Sequence, residues 1–247
     1  GSWVDGGGES GAAEDLGYIY DSNTNTYTVY NADGLMNVAE LVNGGKTDIN
    51  ITLEKNIDLT GKDWTPIGTD YDNSYKGTFD GGGHTITGLT FTTNDEYAGL
   101  FGWLNRAGTV KNVVMEGVQI TSNQIYGGSI GGVVGSGWGT IENCSVSGSV
   151  SGTVYVGGVV GVQIGGSITG CSSSATVKGT VDVGGVAGQT NSSATLTACY
   201  ATGNVIIEMA PKKNIAGGGL VGMNAGSSLL ACYATGNVTS TGSSTGY

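Results

Sequence analysis

A four-residue cassette, Gly-apolar-apolar-Gly, occurs five times in this chain, at Gly99–Gly102, Gly132–Gly135, Gly158–Gly161, Gly185–Gly188 and Gly219–Gly222. Their last glycines are 33, 26, 27 and 34 residues apart. Nine to eleven residues after each cassette stands a small apolar residue: Val113, Cys144, Cys171, Cys199 and Cys232. Three positions before it stand Val110, Ile141, Ile168, Leu196 and Leu229. A period of about 20 to 50 residues marks an array in which no unit buries its apolar face alone and stacking supplies the core.

Around these columns apolar residues alternate with Ser, Thr and Gly, as in Val146-Ser147-Gly148-Ser149-Val150, which is strand and not helix periodicity. A unit of 27 residues without helix cannot join parallel strands by helical crossovers. Winding the chain into one coil per unit solves this, each strand pairing with its equivalent in the next coil. The expectation is an all-β, right-handed parallel β-helix of about seven coils. A propeller is the alternative, but its four-stranded blades take about 40 residues or more. The 48 glycines then mark turns and not low complexity.

Residues 1–96 carry 16 acidic and 4 basic side chains and the remainder 4 acidic and 5 basic, giving −12 and +1, the net −11 of the chain. No basic stripe exists to neutralise phosphates, so nucleic acid is not an expected partner. No apolar run reaches the ~18 to 20 residues of a membrane span, and no signal peptide is visible. Residues 1–17 read as a flexible leader and 18–48 as an N-terminal cap. The β-helix is expected over 49–247, with repeats from 99. In the cap, Leu35, Val38, Ala39 and Val42 recur at helical spacing after Asn31 and Asp33, which suit an N-cap, and before Gly44-Gly45, which suit a stop. Such a helix would cover the open end of the first coil.

The cassettes, together with Leu53–Leu59, Trp64-Thr65-Pro66-Ile67-Gly68 and Gly77–Ile86, resemble the GLUG-motif proteins over about residues 30–247. That family comprises bacterial surface β-helix proteins of adhesin-like type, and its repeats also occur beside immunoglobulin A peptidase domains. Its Asn-Cys-Tyr-Ala-Thr-Gly-Asn-Val form is split here between Asn143-Cys144 and the segments Cys199–Val205 and Cys232–Val238. The resemblance implies an exported binding or spacer protein of the cell surface or outer membrane, with no catalytic set and no cofactor. A lipid anchor outside this sequence is compatible with it.

Cys144, Cys171, Cys199 and Cys232 share one register and should stack about 4.8 Å apart as a structural thiol column. Disulfides and a zinc site are the alternatives, disfavoured by parallel side chains and by the absence of tetrahedral convergence. His84, the one histidine, follows Asp80 in a glycine turn and reads as structural. Asp58, Asp63, Asp70, Asp72 and Asp80 cluster in the first coils as turn acids, with a calcium site or a catalytic acid pair left open. A carbohydrate-active enzyme needs carboxylates within about 5 to 10 Å. Glu116 and Glu142 lie on the order of 16 Å apart by strand rise.

Candidate ligand contacts are aromatics able to stack on sugar rings: Tyr200 and Tyr233, each after a column cysteine and pointing outward, and Trp138. Trp103 and Trp138 each follow a cassette and are expected at turns. Two long repeats gain residues at one point, around 119–129 and 206–217, which puts Tyr126, Lys212 and Lys213 on one face. The leading functional expectation is a non-enzymatic adhesion module for a glycan or an extracellular protein. A lyase or glycosidase and a plain stalk are the alternatives. The segment Ser240–Tyr247 resembles one that elsewhere leads into another cassette, so a frayed or partner-covered last coil and end-to-end self-association are also expected.

Overall fold

The computed structural model describes residues 15–210 and 214–242; the candidate contacts Lys212 and Lys213 and most of the expected leader lie outside them. The chain forms a parallel β-solenoid of about six turns. A typical turn places strands at Thr109–Lys111, Val114–Ser122, Ser129–Gly131 and Val134–Gly137. These join twelve-, eleven- and five-stranded sheets that run the length of the coil. One inward ladder runs Ile51, Phe79, Val110, Ile141, Ile168, Leu196, Leu229, each paired with the next. It contains the column read from the sequence. The turns number about six where about seven were expected. After Ile57–Asp58 the chain runs as a loop, with isolated bridges Ile67↔Phe101 and Tyr75↔Leu104 to the next turn.

The cassettes sit at the corner between the five- and twelve-stranded sheets, and their glycines answer a shortage of space. A Cβ on Gly132, Gly158 or Gly185 would come 2.6, 2.1 and 2.5 Å from Val146, Ser173 and Ala201 on the opposite wall. The coil is too thin there for a side chain on both walls. Within the cassettes, Val133, Val159 and Val186 are fully buried and hold the corner in the core.

Helix Ala32–Asn43 starts at Asn31, whose side chain accepts from the N–H of Gly34, and its last turn closes with the Gly44 N–H on Glu40 and the Gly45 N–H on Val42. Its buried face, Leu35, Val38, Ala39 and Val42, belongs to the same core cluster as the first coils. Ahead of it, Tyr18–Asp21 and Thr26–Val29 form an antiparallel hairpin, and Thr26–Val29 pairs in parallel with Asn50–Leu53. Helix and hairpin together cover this end of the solenoid. At the other end Leu229, Leu230, Tyr233 and Val238 are exposed.

Candidate functional site

The four cysteines stand in one column, unbridged; Cys144, Cys171 and Cys199 are buried and Cys232 is half-buried. Each thiol donates to carbonyls of its own and the preceding coil, as Cys199 does to Thr197 and Ile168, both at 3.4 Å. The backbone N–H of Cys144 meets Cys171 Sγ at 3.5 Å, and that of Cys199 meets Cys232 Sγ at 3.4 Å. The hydrogen bond with Cys144, followed by burial, pushes the Cys171 thiol well up, and burial pushes Cys199 up to about 12. These groups stay neutral at physiological pH, which suits packing and not nucleophilic chemistry.

Three of the five turn acids are engaged with local backbone. Asp58 accepts from the Thr60 N–H, Asp70 from that of Asn73 and Asp80 from that of Gly82. Asp80 also takes Asn112 at 3.0 Å and Lys111 at 3.5 Å. Among the described residues no group of three or more His, Cys, Asp or Glu side chains is placed to hold a metal.

The candidate contacts divide into three places. Tyr200 and Tyr233 point outward and stack with ring centroids 5.2 Å apart and planes 4° apart, since their strands pair in register. Tyr126 is 74% exposed at the tip of the first insertion. Ile125 from this insertion and Glu208 from the second line one groove of about 400 Å³, so both insertions do border the same corner of the solenoid. Lys178, which also lines this groove, bridges to Glu208 at 2.8 Å.

Trp138 occupies the third place, in a cluster that sequence reasoning did not assemble. Register pairing sets Ser136 against Trp103, so the chain leaving strand Val134–Gly137 carries Trp138 beside Trp103. Trp103 is not at a turn but within strand Phe101–Leu104. The two indoles are 5.6 Å apart; Tyr71 lies 6.0 Å from Trp103 and 5.6 Å from Trp138, and Tyr97 lies 4.5 Å from Trp103, all edge to face. Such geometry satisfies the ring quadrupoles. Tyr71 is 59% exposed, Tyr97 and Trp138 are half-buried, and Trp103 is 7% exposed with an indole N–H that finds no acceptor among the described residues.

Clefts lie on both sides of this ridge. One, of about 370 Å³, is lined by Thr65, Pro66, Thr69, Asp70, Asp95, Glu96 and Tyr97. The other, of about 260 Å³, lies between Trp138, Arg106 and Ser193. The first falls in the size range of small-ligand sites. Its carboxylates act as acceptors: Asp70 from Thr69, Asp95 from Thr93 and Glu96 from the Tyr97 hydroxyl at 2.7 Å. Burial, then Glu96 and Asp70, push the Tyr97 phenol up.

The solenoid thus carries a ridge of aromatic rings with clefts beside it. The GLUG motif matches residues 126–151 and 152–178. The chain is 33% identical over 158 residues to halomucin of Haloquadratum walsbyi, covering 60% of this chain and 2% of halomucin. It is 34% identical over 131 residues to a proposed Gly-rich membrane protein of Evansella cellulosilytica, covering 49% of this chain and 14% of that protein. The chain thus spans a small part of the curated relatives that it matches. Among solved structures, a proposed immunoglobulin A1 protease from Bacteroides ovatus superimposes with a TM-score of 0.71 at 24% identity, over 87% of this chain and 67% of that one, which shows a shared fold. No helix among the described residues is long and apolar enough to cross a membrane.

Proposed function

We propose that this chain is a surface-displayed, non-enzymatic binding module whose aromatic ridge takes glycan. The observation that carries this reading is the convergence of Tyr71, Tyr97, Trp103 and Trp138, from separate segments of chain, onto one ridge flanked by polar clefts. Flat apolar rings stack on the C–H faces of sugars, and carboxylate and hydroxyl groups alongside accept from sugar hydroxyls. The non-enzymatic reading is supported by the GLUG-motif match and by the likeness to halomucin. Display at the cell surface is supported by the likeness to halomucin and to a Gly-rich membrane protein.

A glycan array probed with this chain tests the reading. At least one oligosaccharide should bind, and Trp138→Ala or Tyr71→Ala should each weaken it about tenfold, the equivalent of about 1.4 kcal/mol of stacking. Glycan binding that survives both substitutions removes the ridge as the site. Binding to extracellular proteins alone would favour a protein ligand, and binding to neither would favour the stalk.

A further inference from the structure

We infer that the cleft beside Trp138 takes a single uronate unit of the glycan, with the sugar carboxylate on Arg106; this deepens the glycan reading above and rests on it. At about 260 Å³ the cleft lies under the roughly 300 Å³ at which drug-sized pockets begin, so it has room for one sugar ring. Arg106 is the only arginine of the chain. Its guanidinium belongs to none of the ion pairs among the described residues, which are Lys62–Asp33, Lys111–Asp80 and Lys178–Glu208. No acidic residue lines this cleft, whereas the cleft across the ridge is lined by Asp70, Asp95 and Glu96 and by no base. The ridge thus parts a cationic cleft from an anionic one, and a carboxylate is attracted on one side and repelled on the other.

The turn that carries Arg106 is held in place. It closes with the Gly108 N–H on the Asn105 carbonyl at 2.9 Å, and Asn105 is tied to the neighbouring loop by its own N–H on the Tyr75 carbonyl and by its side-chain amide on Ser74 Oγ at 3.0 Å. The lining also keeps a space open beside the indole. A Cβ on Gly165 would fall 3.0 Å from Trp138 Cδ1 and 2.8 Å from Ser193 Oγ, so a side chain there would fill the gap between ring and hydroxyl. The strand ladder shifts register at this point, between Gln163 and Gly165, the kind of irregularity that re-aims side chains at functional sites. Ser193 Oγ donates to the Ile164 carbonyl at 2.8 Å, which leaves its lone pairs to accept from a sugar hydroxyl. A pyranose resting on the Trp138 indole would meet that acceptor. A carboxylate on its ring would meet a planar guanidinium whose paired N–H donors match both carboxylate oxygens. A neutral ester would keep the ring contact and lose the charged pair.

The experiment adds to the glycan array trisaccharides ending in glucuronate, galacturonate or mannuronate, each beside its methyl ester, and an amidated tripeptide with one glutamate as a carboxylate without a sugar. At least one uronate should bind the whole chain about tenfold more tightly than its ester at low salt. That advantage should shrink severalfold on raising salt from about 0.05 to about 0.5 M, as screening requires. In Arg106→Gln the ratio of acid to ester should fall to about one, and the peptide should bind neither protein. Acids and esters that bind equally, an acid preference that persists at high salt or in Arg106→Gln, peptide binding as tight as that of the sugar acids, or binding of neutral glycans alone each overturns uronate selection and leaves the glycan reading standing. An array on which no glycan binds overturns that reading, and this inference with it. If Arg106→Gln does not fold, the salt dependence in the parent decides.

Discussion

At the residue scale the solenoid is shaped by corner positions that ask for a left-handed backbone. Asn112, Asn143, Gly170, Ala198 and Ala231 occupy equivalent corners with φ of 56°, 50°, 62°, 53° and 54°. Asn tolerates this region and here also builds a ladder, Asn143 to Asn112 and Asn112 to Asp80. Alanine has no such compensation, and the left-handed region costs an L-residue about 1 to 2 kcal/mol. Ala198 is exposed, so Ala198→Gly should raise stability by about 0.5 to 1 kcal/mol after the entropic cost of glycine, read as a rise in urea midpoint. The thiol column gives a second expectation. Native protein treated with iodoacetamide should modify Cys232 well before Cys144, Cys171 and Cys199, since only Cys232 is half-exposed. Because the folded Cys199 thiol ionises near 12 against an unperturbed 9.0, unfolding releases protons above about pH 9. Stability should therefore be full below that pH and decline as pH rises toward 12, and replacing Cys171 and Cys199 with Val should reduce the decline.

At the element scale the cap matters most. The helix Ala32–Asn43 is short, and an isolated helix of that length is marginal in water. Its stability comes from seating Leu35, Val38, Ala39 and Val42 on the first coils. Leu35→Ala should cost about 2 to 5 kcal/mol at this end, and Asn31→Ala about 1 kcal/mol through the lost cap. Hydrogen exchange localises the effect: amides of 26–53 should lose protection in Leu35→Ala while those of 140–200 keep theirs. Unchanged exchange at 26–53 would show that the helix does not hold the first coil.

At the scale of the whole molecule, stability is the sum of coil stabilities and the interfaces between neighbours. A coil packed on both faces is held twice, and one packed on a single face once. Strands Ser228–Leu230 and Val238–Thr241 repeat the pairing of the inner coils, yet Leu229, Leu230 and Val238 are exposed. Their amides should exchange faster than those of Val146–Val150 despite equivalent hydrogen bonds. Sedimentation at rising concentration tests whether a second copy covers this face: association that Leu230→Lys abolishes would place it there, and equal protection in a monomer would show that edge exposure has little weight.

The sequence alone determined the solenoid, because cassette period and strand alternation are local signals repeated in every coil, and in-register stacking turns a period in sequence into a column in space. The Val110 to Leu229 ladder, the thiol column and the Tyr200–Tyr233 stack were all legible for that reason. The aromatic ridge was not. Trp138 and Trp103 could be singled out as aromatics that follow cassettes, but Tyr71 lies on the irregular loop after the first rung, where no repeat register applies, and nothing in the repeat pattern marks Tyr97. Nothing periodic links residues 71 and 138. Only the tertiary path of the loop, fixed by Trp64 on the Gly99 carbonyl and Tyr75 on the Ile49 carbonyl, brings Tyr71 and Asp70 against the coils. Repetition can be read along a chain, whereas a site made where the repetition is interrupted depends on how that interruption folds back.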